Sequence, residues 1–172
     1  MHCELKVASF DIVFQEIPGE VTLALNLSGC PCHCPGCHSP HLWEDIGEPL
    51  EESLIDGLLA RYGSMITCVC FMGGDQDPAY VAQMAEHIKK TSLSLGEGRG
   101  EASLKVAWYS GRPGTPNNLH NQNTPIPFDY VKFGPYIEAL GGLKSPKTNQ
   151  RLYKRVGDEW QDISSSFWHT IC

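Results

Sequence analysis

Four cysteines, Cys30, Cys32, Cys34 and Cys37, fall within eight residues of one another. Three of them make the spacing Cys30-x3-Cys34-x2-Cys37. Thiolates are the soft donors that iron–sulfur clusters and zinc prefer. A cubane cluster has four irons, so three protein thiolates leave one iron open. An open iron can bind a substrate and pass it an electron. Gly29, Pro31, Pro35 and Gly36 suit a loop that wraps tightly around a large inorganic body. The competing chemistry is structural zinc, with Cys32, His33 or His38 as fourth ligand. Zinc sites of that kind usually pair two well-separated C-x2-C units, and no second such unit occurs here.

Other residues have types that could do chemistry. Gly73-Gly74-Asp75 places a carboxylate behind two glycines, which let a ligand approach the backbone closely; a carboxylate can accept hydrogen bonds from an ammonium. A plain strand-to-helix turn has the same composition. Tyr109-Ser110-Gly111 is a second strand-end turn, open between a ligand contact and a simple turn. Lys132 is expected to be a solvated lysine. Cys68 and Cys70 share one face of an expected strand and read as buried small hydrophobes. Cys3 and Cys172 are terminal. Cys32 is open between a spare ligand, a target of oxidation and a small residue without a role.

The elements that must position these residues alternate in type. Residues 5–15 form an apolar, extended lead-in. Val21, Leu23, Leu25 and Leu27 alternate with Thr22, Ala24 and Asn26, the period of a strand, and the cysteine loop follows at once. Leu50, Leu54, Ile55, Leu58, Leu59 and Tyr62 predict a helix over 49–62, stopped at Gly63. A strand over 66–72 runs into Gly73-Gly74-Asp75. Asp77 and Pro78 start a second helix, buried through Val81, Met84, Ala85 and Ile88. Residues 96–100 read as a flexible link, 104–110 as a strand, 111–127 as a long loop and 130–133 as a strand. Segments 151–156 and 159–163 flank the hairpin turn Gly157-Asp158. Strands alternating with helices imply crossover units. The expected class is α/β, a mainly parallel open sheet resembling a partial (βα) barrel, with a C-terminal β-hairpin segment. Ligands in such sheets sit at the C-terminal strand ends, which would gather the cysteine loop and both turns at one edge.

The whole chain, 1–172, is read as one domain, with the cluster loop at 29–38 and the hairpin segment at 149–172. Net charge is −7, so a nucleic-acid partner is not expected. No apolar run approaches the ~20 residues that span a bilayer, so no membrane partner is expected either. The first residues lack the basic-then-apolar pattern of a signal peptide, and clustered thiols in place of a dispersed disulfide framework fit a reducing compartment. The expected location is cytoplasmic.

The cysteine spacing resembles that of the radical S-adenosylmethionine superfamily. The wider run Ser28-Gly29-Cys30-Pro31-Cys32-His33-Cys34-Pro35-Gly36-Cys37, with Trp43 after it, resembles the activating proteins of anaerobic ribonucleotide reductase. So do the distant Asp129-Tyr130-Val131-Lys132-Phe133-Gly134-Pro135-Tyr136, Gly141-Gly142-Leu143 and Thr148-Asn149-Gln150-Arg151-Leu152. The resemblance spans 20–168. It implies a [4Fe-4S] cluster on Cys30, Cys34 and Cys37, with S-adenosylmethionine chelated at the fourth iron. Gly73, Gly74 and Asp75 would hold the amino group of its methionine moiety, Asp75 standing where the family usually has Glu. Ser110 would contact its ribose or carboxylate. Reduction by a flavodoxin-type donor would cleave the cofactor to a 5′-deoxyadenosyl radical. That radical would take hydrogen from a glycine in the large subunit of anaerobic ribonucleotide reductase. No catalytic residue beyond the cluster ligands is implied. Two alternatives stand beside this reading: a radical enzyme acting on another glycyl-radical protein or a small molecule, and a non-catalytic iron–sulfur or zinc module.

Overall fold

The computed structural model describes residues 4–94, 103–119 and 126–168. The link at 96–100, Cys3, Cys172 and the 120–125 portion of the long loop lie outside the described residues. Among the described residues, eight strands and two α-helices follow in the order β1 (Lys6–Val13), β2 (Thr22–Leu27), β3 (Glu48–Pro49), α1 (Glu52–Tyr62), β4 (Cys68–Met72), α2 (Pro78–Ser94), β5 (Lys105–Tyr109), β6 (Tyr130–Phe133), β7 (Arg151–Val156) and β8 (Glu159–Asp162).

The strands form one sheet in the order β3-β1-β2-β4-β5-β6-β7-β8. The expectation of a mainly parallel sheet is corrected here. Only β2, β4, β5 and β6 pair in parallel; β1, β3, β7 and β8 add on antiparallel. The cause is the connections. Parallel neighbours need a crossover, and α1, α2 and the long segment 110–129 supply three of them. The lead-in strand β1 returns through a short connection, and 134–150 carries β6 to β7 with no helix, so both additions run antiparallel. Nothing in the strand order pairs β3 with β8, and the sheet is open. The C-terminal hairpin is present, turning at Gly157 with φ +62°.

Alternation splits the strands between two cores. On one face Leu23, Leu25, Leu27, Val69, Phe71, Val106, Trp108, Val131 and Phe133 pack with Ile55, Leu58 and Leu59 of α1 and Val81, Met84, Ala85 and Ile88 of α2. Both helices therefore cover the same face. On the other face Cys68, Cys70, Ala107, Tyr130 and Leu152 pack with Ile17 from the β1–β2 connection. Cys68 and Cys70 are fully buried there. Helix α1 starts later than the spacing predicts, because Pro49 pairs with Lys6 in β3. Asp77 caps α2, accepting the Tyr80 N–H at 3.0 Å.

Glu20, just before β2, is 8 % exposed and gathers the N-terminal strand ends. It accepts from Thr67 at 2.6 Å, from the Tyr130 hydroxyl at 2.8 Å and from the Lys105 ammonium. Burial pushes its carboxyl up, but hydrogen bonds from Lys105, Thr67 and Tyr130 outweigh that push and hold it below its ordinary value. Among the described residues, no helix is long and apolar enough to cross a membrane.

Candidate metal centre

The opposite edge of the sheet collects the C-terminal ends of the parallel strands. There β2 runs into Ser28-Gly29 and the cysteine loop, β4 into Gly73-Gly74-Asp75, β5 into Ser110-Gly111 and β6 into Gly134. The register is tight: Asn26 pairs with Met72, Met72 with Tyr109 and Tyr109 with Lys132. Beyond it the Gly73 N–H donates to the Tyr109 carbonyl at 2.9 Å and the Ser110 N–H to the Lys132 carbonyl at 2.8 Å.

The cysteine loop leaves and returns at one place. The Gly29 N–H donates to the Glu44 carbonyl at 3.0 Å, and the Cys30 N–H to the Leu42 carbonyl at 2.9 Å. Inside this neck the chain turns at Gly29 (φ +71°), His33 (φ +43°) and Gly36 (φ +75°). His33 occupies a conformation that side chains rarely adopt, with its ring stacked on Trp43 at 4.8 Å and an interplanar angle of 9°. The segment after β6 packs against the loop. The His38 and Tyr136 rings lie 4.9 Å apart, and a Cβ on Gly36 would come 3.1 Å from Glu138 Oε2.

Cys30, Cys34 and Cys37 are half-buried free thiols on this loop. The Cys37 N–H donates to the Cys34 carbonyl at 3.0 Å, and Cys37 Sγ accepts the Ser39 N–H at 3.4 Å. Among the described residues, no three His, Cys, Asp or Glu side chains converge on a single-ion site. A cubane asks for a different arrangement, with each thiolate on its own iron and the three set apart around a large body. An all-thiolate donor set, a loop bent by left-handed residues and a sulfur already accepting an N–H are what such a cluster uses. The residues fit it.

Asp75 is fully buried, and every hydrogen bond to its carboxylate comes from nearby turns and the cysteine loop. Ser110 Oγ donates to Oδ1 at 2.5 Å and the Gly111 N–H to Oδ2 at 2.8 Å. The Cys32 thiol donates to Oδ2 at 3.7 Å. Burial, with Asp75 and Cys30 beside it, pushes that thiol up to about 12, so it stands as a donor. The two glycines before Asp75 have φ of +103° and +87°. Gly74 also lacks room for a side chain, since a Cβ would sit 2.6 Å from Val81 Cγ2 and 2.9 Å from Leu27 Cδ1. The turn that aims Asp75 thus needs glycine for conformation and for packing.

Lys132 is only 9 % exposed, which corrects the expectation of a solvated lysine. Its strand β6 is interior, paired with β5 and β7, and its ammonium donates to the Ser110 and Gly134 carbonyls at 3.3 and 3.2 Å. It lies 5.6 Å above the Tyr109 ring. Burial pulls its pKa below the ordinary lysine value, against the opposing pull of Asp75, Cys34 and Cys32. Asn149 and Gln150 hold the Gly134-Pro135 turn: Asn149 Nδ2 donates to the Pro135 carbonyl at 3.0 Å, and Gln150 Nε2 to the Gly134 carbonyl at 3.4 Å.

Residues 18–96 match the family model of the 4Fe-4S single cluster domain. The match supports an iron–sulfur protein. It covers β2, the cysteine loop, β4 and the Gly73-Gly74-Asp75 turn. No curated protein and no solved structure matches the chain.

Two site residues were not legible in the spacing. Gln76 Nε2 donates to the Ser28 carbonyl at 2.8 Å, tying the β4 turn to the root of the cysteine loop. That bond fixes its amide, and Oε1 is a buried acceptor without a hydrogen-bond partner among the described residues. Arg112 Nη2 donates to the Asp75 carbonyl at 2.6 Å. The only available signal was position, Gln76 directly after Asp75 and Arg112 directly after Ser110-Gly111.

Proposed function

We propose that this chain is a glycyl-radical-generating activase. It reductively cleaves S-adenosylmethionine at a [4Fe-4S] cluster held by Cys30, Cys34 and Cys37, and takes hydrogen from a glycine of the large subunit of anaerobic ribonucleotide reductase. The observation that carries this reading is the meeting of Asp75 with Ser110 at the strand ends from which the cysteine loop departs. Segments that resemble the activating proteins at opposite ends of the sequence share that edge.

The cluster, when bound, supplies the electron that breaks the C5′–S bond of S-adenosylmethionine. The chain's own residues bind and orient. Gly73 and Gly74 supply the positive φ that carries the chain into Asp75 at the strand ends. Asp75 and the partnerless acceptor Gln76 Oε1 suit an ammonium, which donates to both kinds of oxygen. Ser110 holds Asp75 in place and lies beside a ribose or carboxylate in this arrangement. Trp43 stacks on His33, and Tyr136 tilts against His38, bracing the loop that carries the cysteines. A flavodoxin-type protein is the electron donor.

Mixing the reduced, reconstituted protein with S-adenosylmethionine and an anaerobic ribonucleotide reductase tests the reading. A glycine-centred radical in the electron paramagnetic resonance spectrum is expected. Cofactor cleavage without that radical would reject the partner, and no cleavage at all would reject the activity.

A further inference from the structure

The turn that ends β5 has spent its hydrogen-bond donors. The Ser110 N–H goes to the Lys132 carbonyl at 2.8 Å, and the Gly111 N–H to Asp75 Oδ2 at 2.8 Å. The Arg112 N–H goes to Ser110 Oγ at 3.1 Å. A hydroxyl has one proton, and Ser110 gives it to Asp75 Oδ1 at 2.5 Å. Ser110 can therefore accept from a ligand hydroxyl, but it has nothing left to donate to a ligand carboxylate.

The side chain of Arg112 still has protons to give. Arg112 is exposed, and its Nη2 donates to the Asp75 carbonyl at 2.6 Å. A guanidinium carries five N–H donors, and among the described residues this is the only hydrogen bond that the Arg112 side chain makes. Its main chain is pinned, since its carbonyl also accepts the Gly134 N–H at 2.8 Å. The result is a cation held by one corner at Asp75, with the rest of its donor fork unspent. Lys132, the neighbouring cation, is buried and donates to the Ser110 and Gly134 carbonyls.

Resting on the function above, we propose that Arg112 binds the α-carboxylate of S-adenosylmethionine and makes the site specific for a ligand that carries one. The amino and carboxylate groups of the methionine moiety sit on the same carbon. A ligand whose ammonium meets the Asp75 side chain brings its carboxylate beside the same residue, where Arg112 is tethered to the main chain. A guanidinium bonds a carboxylate through two parallel N–H groups, whereas a lysine ammonium offers a point charge. Asp75 and Arg112 together read the two charges of the amino-acid end, and Ser110 is left to accept from the ribose. The role is binding alone: no covalent bond changes and no proton is transferred.

The test measures equilibrium binding of S-adenosylmethionine and of its decarboxylated analogue by calorimetry. Wild type, Arg112→Met and Arg112→Lys are each reconstituted anaerobically, matched for iron and sulfide content and left unreduced, so that the ligand stays intact. Arg112→Met is expected to lose about tenfold to a hundredfold in affinity for S-adenosylmethionine and none for the analogue. Arg112→Lys, which keeps the charge but not the fork, should fall between. In 5′-deoxyadenosine formation Arg112→Met should raise the KM for S-adenosylmethionine with kcat unchanged. If Arg112 only braced the Asp75 turn, Arg112→Met would weaken both ligands by the same factor, or lower kcat at unchanged KM, and either result overturns the inference. Wild-type affinity of Arg112→Met for S-adenosylmethionine overturns it equally. Product formation by reduced wild type reports separately on the function. If wild type neither binds nor cleaves S-adenosylmethionine, the function fails and the inference with it; if wild type does both and Arg112→Met is unselective, the inference alone fails.

Discussion

Asp75 and Ser110 lie 35 positions apart in sequence, and Ser110 Oγ donates to Asp75 Oδ1 at 2.5 Å. This bond joins the ends of two neighbouring parallel strands beneath the cysteine loop. Asp75→Asn keeps one acceptor but turns an amide donor toward two groups that also donate. A buried hydrogen-bonded charge is lost, at a cost of about 2–3 kcal/mol. Ser110→Ala removes one donor and should cost about 1 kcal/mol. Urea unfolding of the reconstituted proteins measures both. Equal midpoints for Asp75→Asn and wild type would contradict the account.

Gly74 and Gly157 both have positive φ, but only Gly74 is crowded. Gly157→Ala meets no atom within 4 Å and should cost about 1–2 kcal/mol of backbone strain. Gly74→Ala adds a collision with Val81 and Leu27 and should cost about 1–3 kcal/mol more. Thermal unfolding midpoints rank the two; a Gly74→Ala shift no larger than that of Gly157→Ala would count against the turn geometry.

These contrasts mark what the sequence made legible. The alternation in 21–27, the helical spacing after Leu50 and the Asp77-Pro78 start led to β2, α1 and α2, because each is set by local periodicity or capping. The strand at 130–133 and the hairpin at Gly157 followed for the same reason. The antiparallel flanks did not, because strand direction depends on connections that carry no local signal: β1 reads as an extended lead-in until Val7 is seen opposite Leu27. Glu48–Pro49 is too short to leave a pattern. At the site, the cysteine spacing and the glycine pair were visible as residue types. That Asp75 is satisfied by Ser110 and Gly111, and that Lys132 is buried, depends on which strands adjoin, so neither could be read along the chain.

Glu20 supplies a pH dependence at the far edge of the sheet. Its folded pKa lies below its ordinary value, so the folded state binds fewer protons there than the unfolded chain. The stability it contributes is present above the unfolded value of ~4.3 and is lost as pH falls through the folded value. Glu20→Gln should therefore be less stable than wild type at pH 7, with the gap narrowing below about pH 4. Denaturant midpoints across that range check this. A gap that stays constant down to about pH 3 would show that the carboxylate charge is not what the network uses.

The central claim is tested most directly by anaerobic reconstitution with iron and sulfide, followed by dithionite reduction and addition of S-adenosylmethionine, with 5′-deoxyadenosine followed by chromatography. Wild type is predicted to bind a four-iron cluster and form the product. Cys30→Ala, Cys34→Ala and Cys37→Ala are predicted to lose both, while Cys32→Ala keeps product formation. A wild-type protein that binds no iron, or binds it and leaves S-adenosylmethionine intact, would contradict the account.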